Sequence, residues 1–122
     1  MKHILIVDDV STNLKCVGLI LYNKYKVTTV KSGKEALDCL NTAMIDLVLL
    51  DIRMNEMDGY EVMKRMKSNP KTAGIPIILL TADTDQESEK RGMELGAADY
   101  IRKPVEPQIL LDRIEAIWDM EE

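Results

Sequence analysis

Three stretches of the chain are apolar without interruption: Ile4-Leu5-Ile6-Val7, Leu47-Val48-Leu49-Leu50 and Ile77-Ile78-Leu79-Leu80. None alternates with polar residues, so each predicts a strand covered on both faces. Lys26-Val27-Thr28-Thr29-Val30 and Asp99-Tyr100-Ile101 are more polar or shorter and predict edge strands. Helical spacing fills the intervals. Leu14, Val17 and Leu21 share one face of a first helix over about 12–22. Ser32-Gly33-Lys34-Glu35 is a capping box that opens a second helix, ending near Asn41. Asp58-Gly59-Tyr60-Glu61 repeats the pattern for a third, through about Ser68, and Asn69-Pro70 stops it. Thr84-Asp85-Gln86-Glu87 caps a fourth that ends near Gly96. Pro107 suits the first turn of a fifth, with Leu110, Ile114 and Ile117 as its buried stripe.

Five strands alternating with five helices predict an α/β fold with a doubly wound parallel sheet. Placing the three apolar strands centrally and the polar ones at the edges gives the order 2-1-3-4-5, the flavodoxin-like (βα)5 winding. Its topological switch point lies between strands 1 and 3, where such folds bind ligands. Each central strand ends in a polar group: Asp8-Asp9, Asp51 and Thr81. In a parallel sheet these ends share one rim, so the pattern predicts a shallow site around Asp51.

A length of 122 residues suits one domain over 1–122, large enough for a real core. That core is expected to be aliphatic, with no Phe and eight Met, the latter mostly as filler. A net charge of −5 argues against non-specific nucleic-acid binding. No apolar run approaches a membrane-spanning length and no signal peptide is evident. Cys16 and Cys39 lie in helical patterns and read as free, buried thiols of a cytoplasmic protein. Gly18 interrupts the first helix, which close packing would explain.

Carboxylates brought together repel one another. Two unit charges about 4 Å apart cost roughly 4 kcal/mol at an effective dielectric near 20. Such a cluster holds a proton or a hard cation, and with oxygen ligands alone Mg²⁺ fits best. A carboxylate such as Asp51 can also attack phosphorus to give an aspartyl phosphate. Thr81 offers a hydroxyl and Lys103 an ammonium, both suited to phosphoryl oxygens.

Asp8-Asp9, Asp51, Thr81-Ala82 and Lys103-Pro104, each after its strand, resemble the receiver domain of two-component response regulators over the whole chain. The resemblance implies a CheY-like switch in which Asp51 accepts phosphate from a histidine kinase or histidine phosphotransfer protein. It implies Mg²⁺ bound by Asp9, Asp51 and the backbone carbonyl of Arg53, with Asp8 acting through water. Lys103 and Thr81 would hold the phosphoryl oxygens, and Tyr100 would turn inward as Thr81 moves. Lys103-Pro104 would be a cis peptide. Such a domain is no enzyme beyond its own phosphorylation and dephosphorylation. Its helix 4, strand 5 and helix 5 face would meet a downstream protein target or a covalently linked output domain, and a phosphorylation-dependent homodimer is a further assembly of this type. One departure is Met54-Asn55, where the family often carries Met-Pro.

Simpler roles suit other residues. Asp58 reads as a helix cap, His3 as an accessible strand end, and Lys64, Arg65, Lys67 and Lys71 as a solvated helix face. Arg53 and Asp83, each two positions beyond a site residue, would flank the phosphate and control its lifetime. An aspartate-nucleophile phosphatase is the rival enzyme reading, but it needs Asp-x-Asp where this chain has adjacent aspartates. A phosphate-independent interaction module would have lost the acceptor or the lysine, and both are present. The chain reads either as a stand-alone adaptor or as part of a longer regulator.

Overall fold

The computed structural model describes residues 1–82 and 86–121. Strands β1 (His3–Val7), β2 (Lys26–Val30), β3 (Leu47–Asp51), β4 (Ile77–Thr81) and β5 (Asp99–Arg102) alternate with helices α1 (Ser11–Leu21), α2 (Gly33–Thr42), α3 (Gly59–Ser68), α4 (Gln86–Glu94) and α5 (Pro107–Glu121). The sheet order is β2-β1-β3-β4-β5 and every pairing is parallel. Both match the order expected from strand polarity.

Period-two alternation divides the core into two layers. Leu5, Val7, Val48, Leu50, Ile77 and Leu79 face the layer built with α2 and α3. Ile4, Ile6, Leu47, Leu49, Ile78 and Leu80 face the layer built with α1 and α5. The central strands are buried along their whole length, which is why they read as unbroken apolar runs. On α5, Leu110 and Ile114 are fully buried and Ile117 is half-buried, so the expected stripe is present.

Caps fix where the helices start. Ser32 Oγ accepts from the Glu35 N–H at 3.1 Å, and Asp58 Oδ1 accepts from the Glu61 N–H at 2.9 Å. The Glu35 carboxylate closes its box on the Lys31 N–H and the Ser32 hydroxyl. Helix α4 ends in a Schellman turn: Gly96 has φ +107°, Ala97 N–H donates to the Gly92 carbonyl, and Gly96 N–H to that of Met93. The cap expected at Thr84 and Asp85 lies outside the described residues.

Helix α1 starts at Ser11, within a residue of the expected bound, with Val10 as an N-cap that supplies no side-chain bond. Three expectations change. Gly18 has no atom within 4 Å of where a Cβ would sit, so close packing does not explain it. Cys16 is exposed, because the buried stripe of α1 runs through Leu14, Val17 and Leu21, and Cys39 is half-buried, because that of α2 runs through Ala36 and Leu40. His3 is buried, since β1 lies between β2 and β3; its ring Nε2 is 2.7 Å from Thr28 Oγ1 and its N–H donates to Asp46.

Candidate functional site

The site forms where β1 and β3 end. Asp8 and Asp9 follow β1, Asp51 is the last residue of β3, and Thr81 the last of β4. Lys103 follows β5, and its backbone N–H donates to the Thr81 carbonyl at 2.7 Å. The Lys103–Pro104 peptide is cis, as the sequence resemblance implied.

Each of Asp8, Asp9 and Asp51 offers a carboxylate oxygen, and these lie within 4.8 Å of one another. Asp8 and Asp51 are buried and Asp9 is half-buried. Lys103 reaches into the cluster, with Nζ 2.9 Å from Asp8 Oδ2 and 3.1 Å from Asp51 Oδ1. Asp8 Oδ1 also accepts from the Val10 N–H at 2.9 Å. Among the described residues, no buried side-chain polar atom lacks a hydrogen-bond partner.

The electrostatics follow from one ammonium among three carboxylates. Burial pushes the Asp51 carboxyl above the usual range; Lys103 opposes this without cancelling it, and Asp8 and Asp9 add to it. Burial disfavours the Lys103 charge, yet its hydrogen bonds to Asp8 and Asp51 win and hold the ammonium above an ordinary lysine. The cluster thus carries more negative charge than its lysine neutralises. Oxygen-only ligands, close approach and surplus charge fit a hard divalent cation. Asp8, Asp9 and Asp51 are the side chains that would hold it.

The loop after Asp51 completes the rim. Asp9, Arg53, Met54, Asn55 and Tyr60 line a cleft of about 450 Å³ beside the cluster. Thr81 is buried, and Tyr100 is half-buried against the α2–α3 layer. Asp83 lies outside the described residues.

Three contributors were missed in the sequence. Gly59 backs directly onto the end of β3: a Cβ there would lie 2.5 Å from the Asp51 carbonyl oxygen and 2.9 Å from Ile52 Cα. Its signal was Asp58-Gly59, read only as a cap. The Asn55 N–H donates to Asp9 Oδ2 at 3.3 Å, and a backbone donor leaves no trace in a sequence. Glu89 is buried on α4 and accepts from Arg102 Nε at 2.6 Å. It lies in a polar stretch with Glu87, Ser88, Lys90 and Arg91, so nothing distinguished it.

Comparison with known proteins agrees with this geometry. A family model described as the response regulator receiver domain matches residues 4–115. A probable cyclic di-GMP phosphodiesterase of Vibrio cholerae is 48% identical over 91% of this chain, which covers 25% of that protein. Response regulator SaeR of Staphylococcus aureus is 44% identical over 93% of this chain and 49% of its own length. The chain therefore spans between a quarter and about half of these relatives. Among solved structures, the chemotaxis protein CheY4 of V. cholerae superposes with TM-score 0.90 at 31% identity, covering 95% of this chain and 98% of that one. A putative response regulator of Chloroflexus aurantiacus gives TM-score 0.91 at 38% identity, covering 95% and 96%. With the sheet order, the acid cluster and its lysine in place, the chain belongs to the response regulator receiver domain family of two-component signalling.

Proposed function

We propose that Asp51 is the phosphoacceptor of this receiver. The observation that supports it most is the single Lys103 ammonium bridging Asp8 and Asp51 at the switch point of the sheet. In the reaction, an Asp51 oxygen forms a bond to phosphorus as the donor's phosphorus–nitrogen bond breaks. Lys103 then exchanges a carboxylate contact for a phosphoryl oxygen, and the Thr81 hydroxyl supplies a second donor. Asp8, Asp9, Asp51 and the Arg53 carbonyl would hold Mg²⁺, whose charge offsets the negative charge gathering at the phosphoryl group.

Phosphorylation adds about −1.5 to −2 charge. Relieving that charge draws Thr81 and Lys103 inward, and Tyr100 follows to reshape the face made by α4, β5 and α5. A coupling of about 1–3 kcal/mol is enough to alter partner affinity without refolding. The donor is a histidine kinase or histidine phosphotransfer protein of the cytoplasm. The receiver of that signal is a downstream protein, a second copy of this chain, or an output domain joined to it. Arg53 at the cleft beside Asp9 would govern access of water to the phosphoryl group, together with Asp83.

Incubation with acetyl phosphate and Mg²⁺, followed by intact-mass measurement, tests the assignment. Wild-type chain should gain one phosphoryl group and Asp51→Asn none. Undiminished labelling of Asp51→Asn would place the acceptor elsewhere.

A further inference from the structure

The loop between β3 and α3 is tied down at several points. Gly59 N–H donates to the Ile52 carbonyl and Met57 N–H to the Asn55 carbonyl, both at 2.8 Å. Glu56 between them has φ +66°, a left-handed conformation that a residue with a Cβ adopts only at a cost. Met57 is wedged against α2, since a Cβ on Gly33 would lie 2.8 Å from its Sδ. A loop fixed in this way presents its backbone donors in set directions. One of them, the Asn55 N–H, meets Asp9 Oδ2 at 3.3 Å.

We infer that the Asn55 backbone N–H is a positioning group that orients Asp9 as a cation ligand. The inference rests on the proposal that Asp9 helps hold Mg²⁺. The other two carboxylates are already fixed: Asp8 by the Val10 N–H and Lys103, Asp51 by Lys103 and by its place at the end of a central strand. Asp9 is the more exposed member, on the side of the cluster that faces the loop. A donor on Oδ2 restrains the carboxylate and leaves lone pairs on it to meet a cation. Groups that orient a ligand from outside the coordination shell typically contribute about 10–100-fold in metal affinity. The length of this bond places it at the lower end, about tenfold.

Proline is the residue that removes this donor, because it has no backbone N–H. The relevant property of Asn55 is therefore that it is not proline, and its side chain is incidental. This gives the Met54-Asn55 departure a physical consequence: it adds a hydrogen bond to the cluster.

Calorimetric titration of Mg²⁺ into the full chain separates the possibilities. Wild type should bind and Asp9→Asn should bind far more weakly. Asn55→Ala keeps the N–H and should stay within about twofold of wild type, whereas Asn55→Pro should bind about tenfold more weakly. A second measurement needs no metal and does not depend on how Asn55→Pro folds. In metal-free protein, amide exchange at Asn55 should accelerate in Asp9→Ala, with the Met57 and Gly59 amides unchanged. Equal Mg²⁺ affinity in the two Asn55 variants, or Asn55 exchange indifferent to Asp9→Ala, overturns the inference while the metal reading stands. Failure of wild type to bind Mg²⁺ overturns both, and is told apart by that first titration.

Discussion

Helices α3 and α4 lie on the same side of the sheet and are attached in opposite ways. Helix α3 buries Tyr60, Val62, Met63 and Met66 and begins with Gly59 pressed on the end of β3. Of α4, the residues buried are Glu89 and Gly92, neither of which contributes an apolar side chain. It is held by the Glu89–Arg102 ion pair, by the Tyr60 hydroxyl donating to the Ser88 carbonyl at 2.9 Å, and by Arg91 over the Tyr60 ring at 4.3 Å. Apolar burial is proportional to area and is lost in one step when a helix leaves. Polar contacts are directional, and they can be exchanged for water or for other partners at small net cost. A helix of the first kind fixes the site's geometry, and one of the second kind can report a change in it.

Substituting equivalent methionines breaks the comparison most strongly. Met63→Ala should cost about 2–5 kcal/mol of stability in urea melts. Met93→Ala on α4, where the residue is 43% exposed, should change it by less than about 0.5 kcal/mol. Similar losses at both positions would mean that α4 is held as firmly as α3.

The glycines sharpen the same contrast. A Cβ at Gly59 meets backbone, which cannot step aside; one at Gly92 meets side chains, the end of Leu79 first and the Tyr60 ring edge at 4.0 Å. Gly59→Ala should cost about 1–3 kcal/mol and lower acetyl phosphate labelling of Asp51. Gly92→Ala should cost less, with chemical shift changes confined to α4 and its neighbours. The reverse order of stability would show that the loop between β3 and α3 gives way more easily than α4.

Acid should loosen α4 specifically. The hydrogen bond from Arg102, with help from the Tyr100 hydroxyl, lowers the Glu89 pKa below the usual carboxylate range. A carboxylate whose folded pKa is depressed contributes stability above its unfolded pKa and loses it as pH falls through the folded value. The stability difference between wild type and Glu89→Gln should therefore be present at neutral pH and shrink as pH falls below about 4. A difference that grows on acidification would assign the opposite sign to this contact. The smallest effect is a gain. Gly18→Ala places a methyl in open space on a helix, and should raise stability by about 0.4–1 kcal/mol.

Much of this molecule was legible in the sequence. A strand buried on both faces must be apolar throughout, so β1, β3 and β4 declared themselves and their polarity ranked them against β2 and β5. Chain direction in a parallel sheet then required Asp8, Asp9, Asp51 and Thr81 to share a rim. The roles of these residues came from likeness to a family, since spacing alone also allows caps and solvated turns, as Asp58 shows. The misreadings have a common cause. Cys16 and Gly18 were judged by residue type and His3 by its place at a strand end, whereas their surroundings depend on which way a helix turns and which strand lies alongside.

What the chain determined by itself was the order of elements and the identity of the groups delivered to one edge, because periodicity and connectivity are local properties of a polymer. Tertiary structure alone decided that Lys103 spans two carboxylates, that Gly59 touches the Asp51 backbone, and that an N–H from Asn55 reaches Asp9. The first and third join segments far apart in sequence, and the second and third involve backbone atoms that every residue carries, so no pattern of side chains could announce them.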